Sequence, residues 1–299
     1  MIHLRSRLVV LVPLVVLCVA VAFLSCKKQD VPYVVDSDEL ARYIKESPDA
    51  MELFRTDSLI TTHPYKVPYD SAEYVDSVLG IERSTSEVVG DSTVEHGNLG
   101  SLREAVVLVE DVFTVRRVRK LGGLIVDSVV QDRTLDRYGF FLKLGNDAQS
   151  FVGWKLWGFN GLGTNEPPPV LTVKLPNGHV IQGGLGLYST YPESGYFSTF
   201  GSLAFIRLDQ VDTVGKGVNA IMEATPKVGN PLVFFHTYCM ATDSGLQTRN
   251  MTRLGTNHFL DTVKTASTIS RTYNLLYMQS YLESDRRWVW SWCIPYHVR

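Results

Sequence analysis

Apolar residues fall into three patterns along the 299-residue chain. Residues 8–24 form one apolar run, interrupted only by Pro13. Residues 37–60 carry apolar positions at helical spacing: Leu40, Tyr43 and Ile44, then Met51, Leu53 and Phe54. Asp36 and Ser37 offer N-caps, and Glu39 lies at capping-box spacing from Asp36. Ser47-Pro48 restarts the pattern, with Ser as N-cap and Pro at the first helical position. Two short helices are predicted there. A third is predicted over residues 71–79, ended by Gly80, and the polar residues 82–101 read as an irregular excursion.

After Arg103 the character changes to β-branched runs. Ala105-Val106-Val107-Leu108-Val109, Val112-Phe113-Thr114-Val115, Leu124-Ile125-Val126, residues 138–144 and residues 151–157 read as strands. They alternate only loosely, so parts are predicted to be buried on both faces. Glu166-Pro167-Pro168-Pro169 is the clearest hinge, because successive prolines stiffen the backbone and remove donors. Leu171-Thr172-Val173-Lys174-Leu175, Pro176-Asn177-Gly178 and His179-Val180-Ile181-Gln182 form the clearest hairpin, since Asn-Gly suits a tight turn. Further strands are predicted at residues 202–208, 218–224, 232–240, 259–263, 273–281 and 288–294. The expected fold is mainly β with a short helical N-terminal part and a C-terminal β-sandwich. The expected division is residues 1–25 as a signal, 26–36 as a tether, 37–165 as an α+β domain and 170–299 as the sandwich.

Composition narrows the class. Apolar residues at 45% and charged residues at 20% suit a globular chain. Net charge is −2, and residues 1–25 hold Arg5 and Arg7 but no acid, which leaves −4 on the remainder. That balance argues against nucleic acid, whose phosphates need a basic face.

Arg5 and Arg7 followed by the apolar run make residues 1–25 a targeting segment. Phe23-Leu24-Ser25-Cys26-Lys27-Lys28 resembles the signal of bacterial lipoproteins, in which a small residue precedes the acylated cysteine. Phe23 and Leu24 depart from the usual order of a Leu followed by a small residue. The resemblance implies acylation of Cys26 and attachment to the inner or outer membrane of a bacterial envelope, on the periplasmic or the outer face. Two other readings stay open: cleavage after Ala22 in Ala20-Val21-Ala22, and an uncleaved span of about 17 residues. Residues from about 203 onward, through Arg249-Asn250-Met251-Thr252, Gly255 and Phe259, resemble immunoglobulin-like domains of bacterial surface proteins. That resemblance covers about a third of the chain and implies a hairpin at those residues.

Chemistry is sparse in the pattern. Outside the signal only Cys239 and Cys293 remain, and outside the cytoplasm two such cysteines can pair. Closing that loop would stabilise by on the order of 4 kcal/mol in the chain-entropy picture; two separately buried thiols are the alternative. His63, His96, His179, His236, His258 and His297 are scattered, without the i, i+4 spacing of a zinc site. Glu193-Ser194-Gly195 lacks the glycine that a nucleophile elbow places two residues before its Ser. Asp209 with Asp212, and Glu283 with Asp285, are the carboxylate pairs that a glycan hydrolase could use. Trp288, Trp290 and Trp292 share one face of a strand by alternation, beside Tyr273, Tyr277 and Tyr281 on the strand before. Such a row either grips a sugar or protein partner or fills the sandwich core.

The sequence therefore predicts a lipid-anchored envelope protein that acts as a non-enzymatic binding or structural module for a protein or glycan. It predicts no cofactor and no metal site. The alternative is an envelope glycan hydrolase whose carboxylates only the fold brings together.

Overall fold

Helix begins at Asp36. The computed structural model describes residues 36–54, 64–66, 71–83, 87–95, 101–164, 170–183, 205–225, 233–242, 245–255, 258–267, 272–282 and 288–299. The signal and residues 26–35 of the expected tether, Cys26 included, lie outside the described residues, and Asp36 belongs to the first helix. Helix α1 (Asp36–Glu46) buries Leu40, Tyr43 and Ile44, the i, i+3, i+4 stripe of the sequence. Asp36, Asp38 and Glu39 occupy its first turn, where the helix dipole favours negative charge. Helix α2 (Pro48–Leu53) starts behind an extended Ser47, has Pro in its first turn, and buries Ala50 and Leu53. Both helices were expected.

Strands follow almost without interruption. β1 (Pro64–Lys66) pairs with β2 (Glu73–Arg83). The expected helix over residues 71–79 is thus a strand, and Gly80 sits at a register shift rather than a helix end. A nine-residue segment has weak helical preference of its own. Laid beside β4 (Ser101–Leu121), the same residues gain a ladder from Glu73 opposite Lys120 to Arg83 opposite Asp111. β3 (Glu87–Glu95) falls in the expected irregular stretch and pairs with the first half of the same edge of β4. β4 turns through Gly122-Gly123, at φ +56° and +86°, into β5 (Leu124–Lys143). Two successive positive φ values suit a two-residue hairpin loop and favour glycine. β6 (Trp154–Thr164) pairs with β5 only as far as Tyr138 opposite Asn160.

The hairpin of β7 (Val170–Lys174) and β8 (Val180–Gly183) closes through Gly178 at φ +89°, as Asn177-Gly178 predicted. Short strands β9 (Ile206–Arg207) and β10 (Thr213–Val214) precede β11 (Asn219–Thr225), β12 (Val233–Thr242) and β13 (Gly245–Asn250). β14 (Thr252–Gly255) and β15 (His258–Lys264) form the hairpin expected around residues 249–259. β16 (Asn274–Leu282) and β17 (Trp288–Val298) complete the chain.

Two sheets result. The larger runs β1-β2-β4-β5-β6-β17-β16-β12-β13, with β3, β9 and β10 attached; the smaller runs β14-β15-β11-β7-β8. One apolar cluster joins them, from Val173, Met222, Phe259 and Val263 of the small sheet to Leu276, Met278, Trp292 and Ile294 of the large one. The Tyr296 hydroxyl accepts a hydrogen bond from the Ala266 backbone N–H at 2.9 Å across the same interface. Among the described residues the fold is mainly β, with sandwich packing and two short helices. Residues 36–299 form one compact unit. The segments expected as separate domains share a single sheet, because β6 leaves β5 and pairs with β17 from Gly161 to Thr164.

The helices cover the opposite face of the large sheet. Tyr43 meets Phe141 edge-on with ring centres 5.3 Å apart, and Phe54 meets Phe159 at 5.4 Å. Gly139 makes room for this: a Cβ there would lie 2.7 Å from the Phe141 ring and 3.2 Å from that of Phe54. Between helix and sheet, Arg137 and Asp111 are both fully buried and ion-paired. The Arg137 guanidinium also donates to Leu53 O at 3.2 Å and Phe54 O at 2.8 Å, carbonyls that the end of α2 leaves open.

Arg137→Met should destabilise the protein by about 3–5 kcal/mol, because it strands the Asp111 carboxylate and two helix-end carbonyls out of water. Combining it with Asp111→Leu should recover much of that loss. Urea unfolding of the two variants checks both statements, and equal stability of single and double variants would contradict them.

Candidate functional site

Of the residues that the sequence singled out, Trp292, Tyr273, Cys293 and Asp212 are buried. Trp292 is completely buried in the core between the sheets, so it cannot belong to an exposed aromatic face. A register shift between the Ser280–Trp290 and Tyr281–Trp288 pairs also interrupts the alternation that would align the three tryptophans. The side chains of Trp288, Trp290, Tyr277 and Tyr281 lie outside the described residues. Tyr273 packs its ring on His297 at 5.0 Å. Its hydroxyl is pushed up to about 12, first by burial and then by the nearby acids Asp49 and Glu52 and the Tyr43 hydroxyl. Glu52 fixes that corner by accepting the backbone N–H groups of Thr272 at 3.2 Å and Tyr273 at 2.8 Å.

The sequence leaves open whether Cys239 and Cys293 pair or stay separate thiols. Cys293 is a free, fully buried thiol, pushed up to about 12 by burial despite the opposing influence of Arg137. Cys239 lies opposite Leu276, and Leu276 opposite Ile294, so β16 runs between the two cysteine strands. Two strand spacings amount to about 9.5 Å, beyond the roughly 7 Å that a disulfide spans between Cα atoms.

The expected carboxylate pair is also divided. Asp209 pairs with Arg207, whereas the buried Asp212 accepts from Asn177 Nδ2 at 2.7 Å and lies 2.6 Å from His179 Nδ1. Asp212 thereby ties the β7–β8 turn to the segment before β10. Glu283 and Asp285 lie outside the described residues, as do His63 and His96. Of His236 the backbone alone is described. His258 on β15 stands 3.6 Å from Glu223 on β11, both side chains partly exposed. Among the described residues no group of three or more His, Cys, Asp or Glu is placed to hold a metal ion.

Two features escaped the sequence reading. The first is an acid pair at the fork where β6 leaves β5. Glu110 and Asp136 are direct cross-strand partners, followed on the same face by Tyr138, which lies opposite the buried Asn160. Asp136 is raised from its ordinary value, first by burial and then by the Glu110 charge. Tyr138 is raised by burial and by Asp136 in turn. A carboxyl whose neutral form is favoured by burial and by a neighbouring acid is a candidate for giving and taking a proton. Only the strand register brings these acids together, so no spacing along the chain announces them.

The second feature is the distal half of the β4–β5 hairpin. Beyond residue 137 toward the tip, β5 pairs with β4 alone among the described strands. Leu124 (74% exposed), Ile125 (65%), Val126, Val129 and Val130 all lie open on this edge strand. Five large exposed apolar residues within seven positions make a patch rather than the single exposures that most surfaces show. The signal was present in the sequence as Leu124-Ile125-Val126 and Val129-Val130, but it reads there as core.

No protein-family model matches the chain, and no curated protein matches its sequence. Among the described residues no helix is long and apolar enough to cross a membrane, which says nothing of residues 1–35 or of strands.

Because Asp136 is raised in the fold, its charge is disfavoured there. Its neutral form contributes stability below the unfolded carboxylate value, near 4, and that contribution is lost as pH rises through the folded value. Asp136→Asn should therefore raise the melting temperature at pH 7 and change it little at pH 3.5. Thermal melts at the two pH values check this; no gain at pH 7 would count against the acid pair.

Proposed function

We propose that the protein is anchored in a bacterial cell envelope by acylation of Cys26, and that its β-rich body is a non-enzymatic module that docks onto protein. The apolar edge of β5 carries the binding part of this reading. Beyond residue 137 no described strand pairs with this edge and its apolar side chains stand open, which suits strand addition by a partner. The anchoring part is supported by Ser25-Cys26 at the end of an apolar run behind Arg5 and Arg7. A bacterial lipid anchor with two or three chains gives stable attachment, which one chain does not.

The test is fractionation of cells fed an alkyne-tagged palmitate. The native chain should take up label and sediment with membranes. Cys26→Ala should lose the label and move to the soluble fraction. An unlabelled native chain, or a Cys26→Ala chain that stays with membranes, overturns the anchoring.

The opposed acids Glu110 and Asp136 favour a second reading, hydrolysis of an envelope glycan with Asp136 as proton donor. It requires release of reducing ends from purified envelope glycan by the native protein, reduced at least a hundredfold in Asp136→Asn, on the order of what a general acid contributes.

A further inference from the structure

We propose that the edge of β5 with which no described strand pairs beyond residue 137 pairs antiparallel with β5 of a second copy of this chain, about a two-fold axis at Val130. The inference rests on the protein-docking reading above and names the partner.

Natural edge strands are guarded by Lys, Pro, bulges or a covering element. The opposite edge of the arm follows this rule: β2 carries Asp76, Glu82 and Arg83, has a register shift at Gly80, and is partly covered by β1. The β5 edge follows it only in part: it has a bulge at Val126 and the acids Asp127, Asp132 and Asp136, and the Asp127 carboxylate accepts the Ser128 backbone N–H at 2.8 Å. Residues 124–136 contain neither Lys nor Pro, and their apolar side chains stand open on a surface that no described strand covers. Val129 and Val130 point to opposite faces by alternation, yet both are about half exposed, so neither face of the edge has a second layer over it.

The sequence of the edge selects the partner. In an antiparallel ladder, facing residues either both turn their N–H and C=O groups toward each other or both turn them away. Successive residues alternate in that respect, so a two-fold self-pairing must centre on a residue rather than between two. Centred on Val130, the register sets Asp127 opposite Arg133 of the partner subunit, Ser128 opposite Asp132 of the partner subunit, and Val130 opposite Val130 of the partner subunit. The two-fold repeats each match, so two opposite-charge pairs bracket an apolar centre. Centred on Val129, the same strand sets Val126 against Asp132 and leaves Asp127 against Gln131. Centred on Gln131, it sets Val130 against Asp132 and Val129 against Arg133. Val130 is the centre at which charge meets charge and no valine faces an ion. The ladder has a natural end, since Val126 is the extra residue at the shift between the Arg119–Asp127 and Lys120–Ile125 pairs. Beyond it, Leu124, Ile125 and Val126 lie alongside residues 134–136 of the second copy.

The pairing is read by cysteine crosslinking of the full chain in cells under mild oxidation. Val130→Cys should give a disulfide dimer, because its two-fold mate is itself within disulfide reach. Ser128→Cys alone should not, whereas Ser128→Cys with Asp132→Cys should. Adding Arg133→Asp to Val130→Cys should cut the dimer at least roughly tenfold, as like charges then face each other, and adding Asp127→Arg as well should restore it. Absence of the Val130→Cys dimer, or equal crosslinking from the exposed Leu254→Cys, overturns the proposal, as does a monomeric chain that binds liposomes through the arm. Fractionation of the same Val130→Cys cells reads Cys26 anchoring separately. A chain that is anchored but not crosslinked sinks the pairing alone; one that is crosslinked but soluble sinks the anchoring alone.

Discussion

Arg137 and Asp111 hold opposite charges where water cannot reach. Taking each ion out of water costs several kcal/mol, and attraction alone does not restore it. The fold offsets that cost by directing the guanidinium onto one carboxylate and two carbonyls at the end of α2. A six-residue helix has no stability of its own in water. The ion pair therefore decides where α2 ends and how it sits on the sheet, and with it where the rings of Phe54 and Tyr43 land. Arg137 is also the residue just before β5 begins to pair with β6. The same contact that seats the helices marks where the long hairpin departs from the body.

At that level the sheet differs across its thickness. One face pairs Asp111 with Arg137, while the neighbouring residues of the same two strands set Glu110 against Asp136 on the other face. Inward from this line the strands are covered on both sides and carry core residues such as Val107 and Phe140. Outward from it β5 loses one neighbour, and its apolar residues meet solvent. The features with a chemical or docking character thus crowd around one place, the fork where the ladder between β5 and β6 stops.

Much of the body could be read from the chain. Leu40, Tyr43 and Ile44 at helical spacing, and Asn177-Gly178 between β-branched runs, state their structures locally, and the fold obeys them. Residues 71–79 could not be read this way, because the ladder offered by β4 outweighs a weak local preference. The candidate sites were still less legible. Asp111 and Arg137 are 26 positions apart, as are Glu110 and Asp136. Their meeting depends on a hairpin register that a single residue of slip would change. Trp292 shows a different limit: of the two readings of its row, the core one holds for it. Alternation tells which residues share a face but not which face is covered, and here the small sheet covers it.

Asp36 has a mechanical meaning. Its carboxylate is gripped by Arg103 on β4, by Lys143 at 3.4 Å on β5 and by the Trp154 indole N–H at 3.2 Å on β6. It is also the residue at which the preceding 35 positions join the body. Any tension transmitted through those positions reaches the fold at a clasp spread over three adjacent strands. Such a clasp resists peeling of α1, much as a seam is bar-tacked where the load enters.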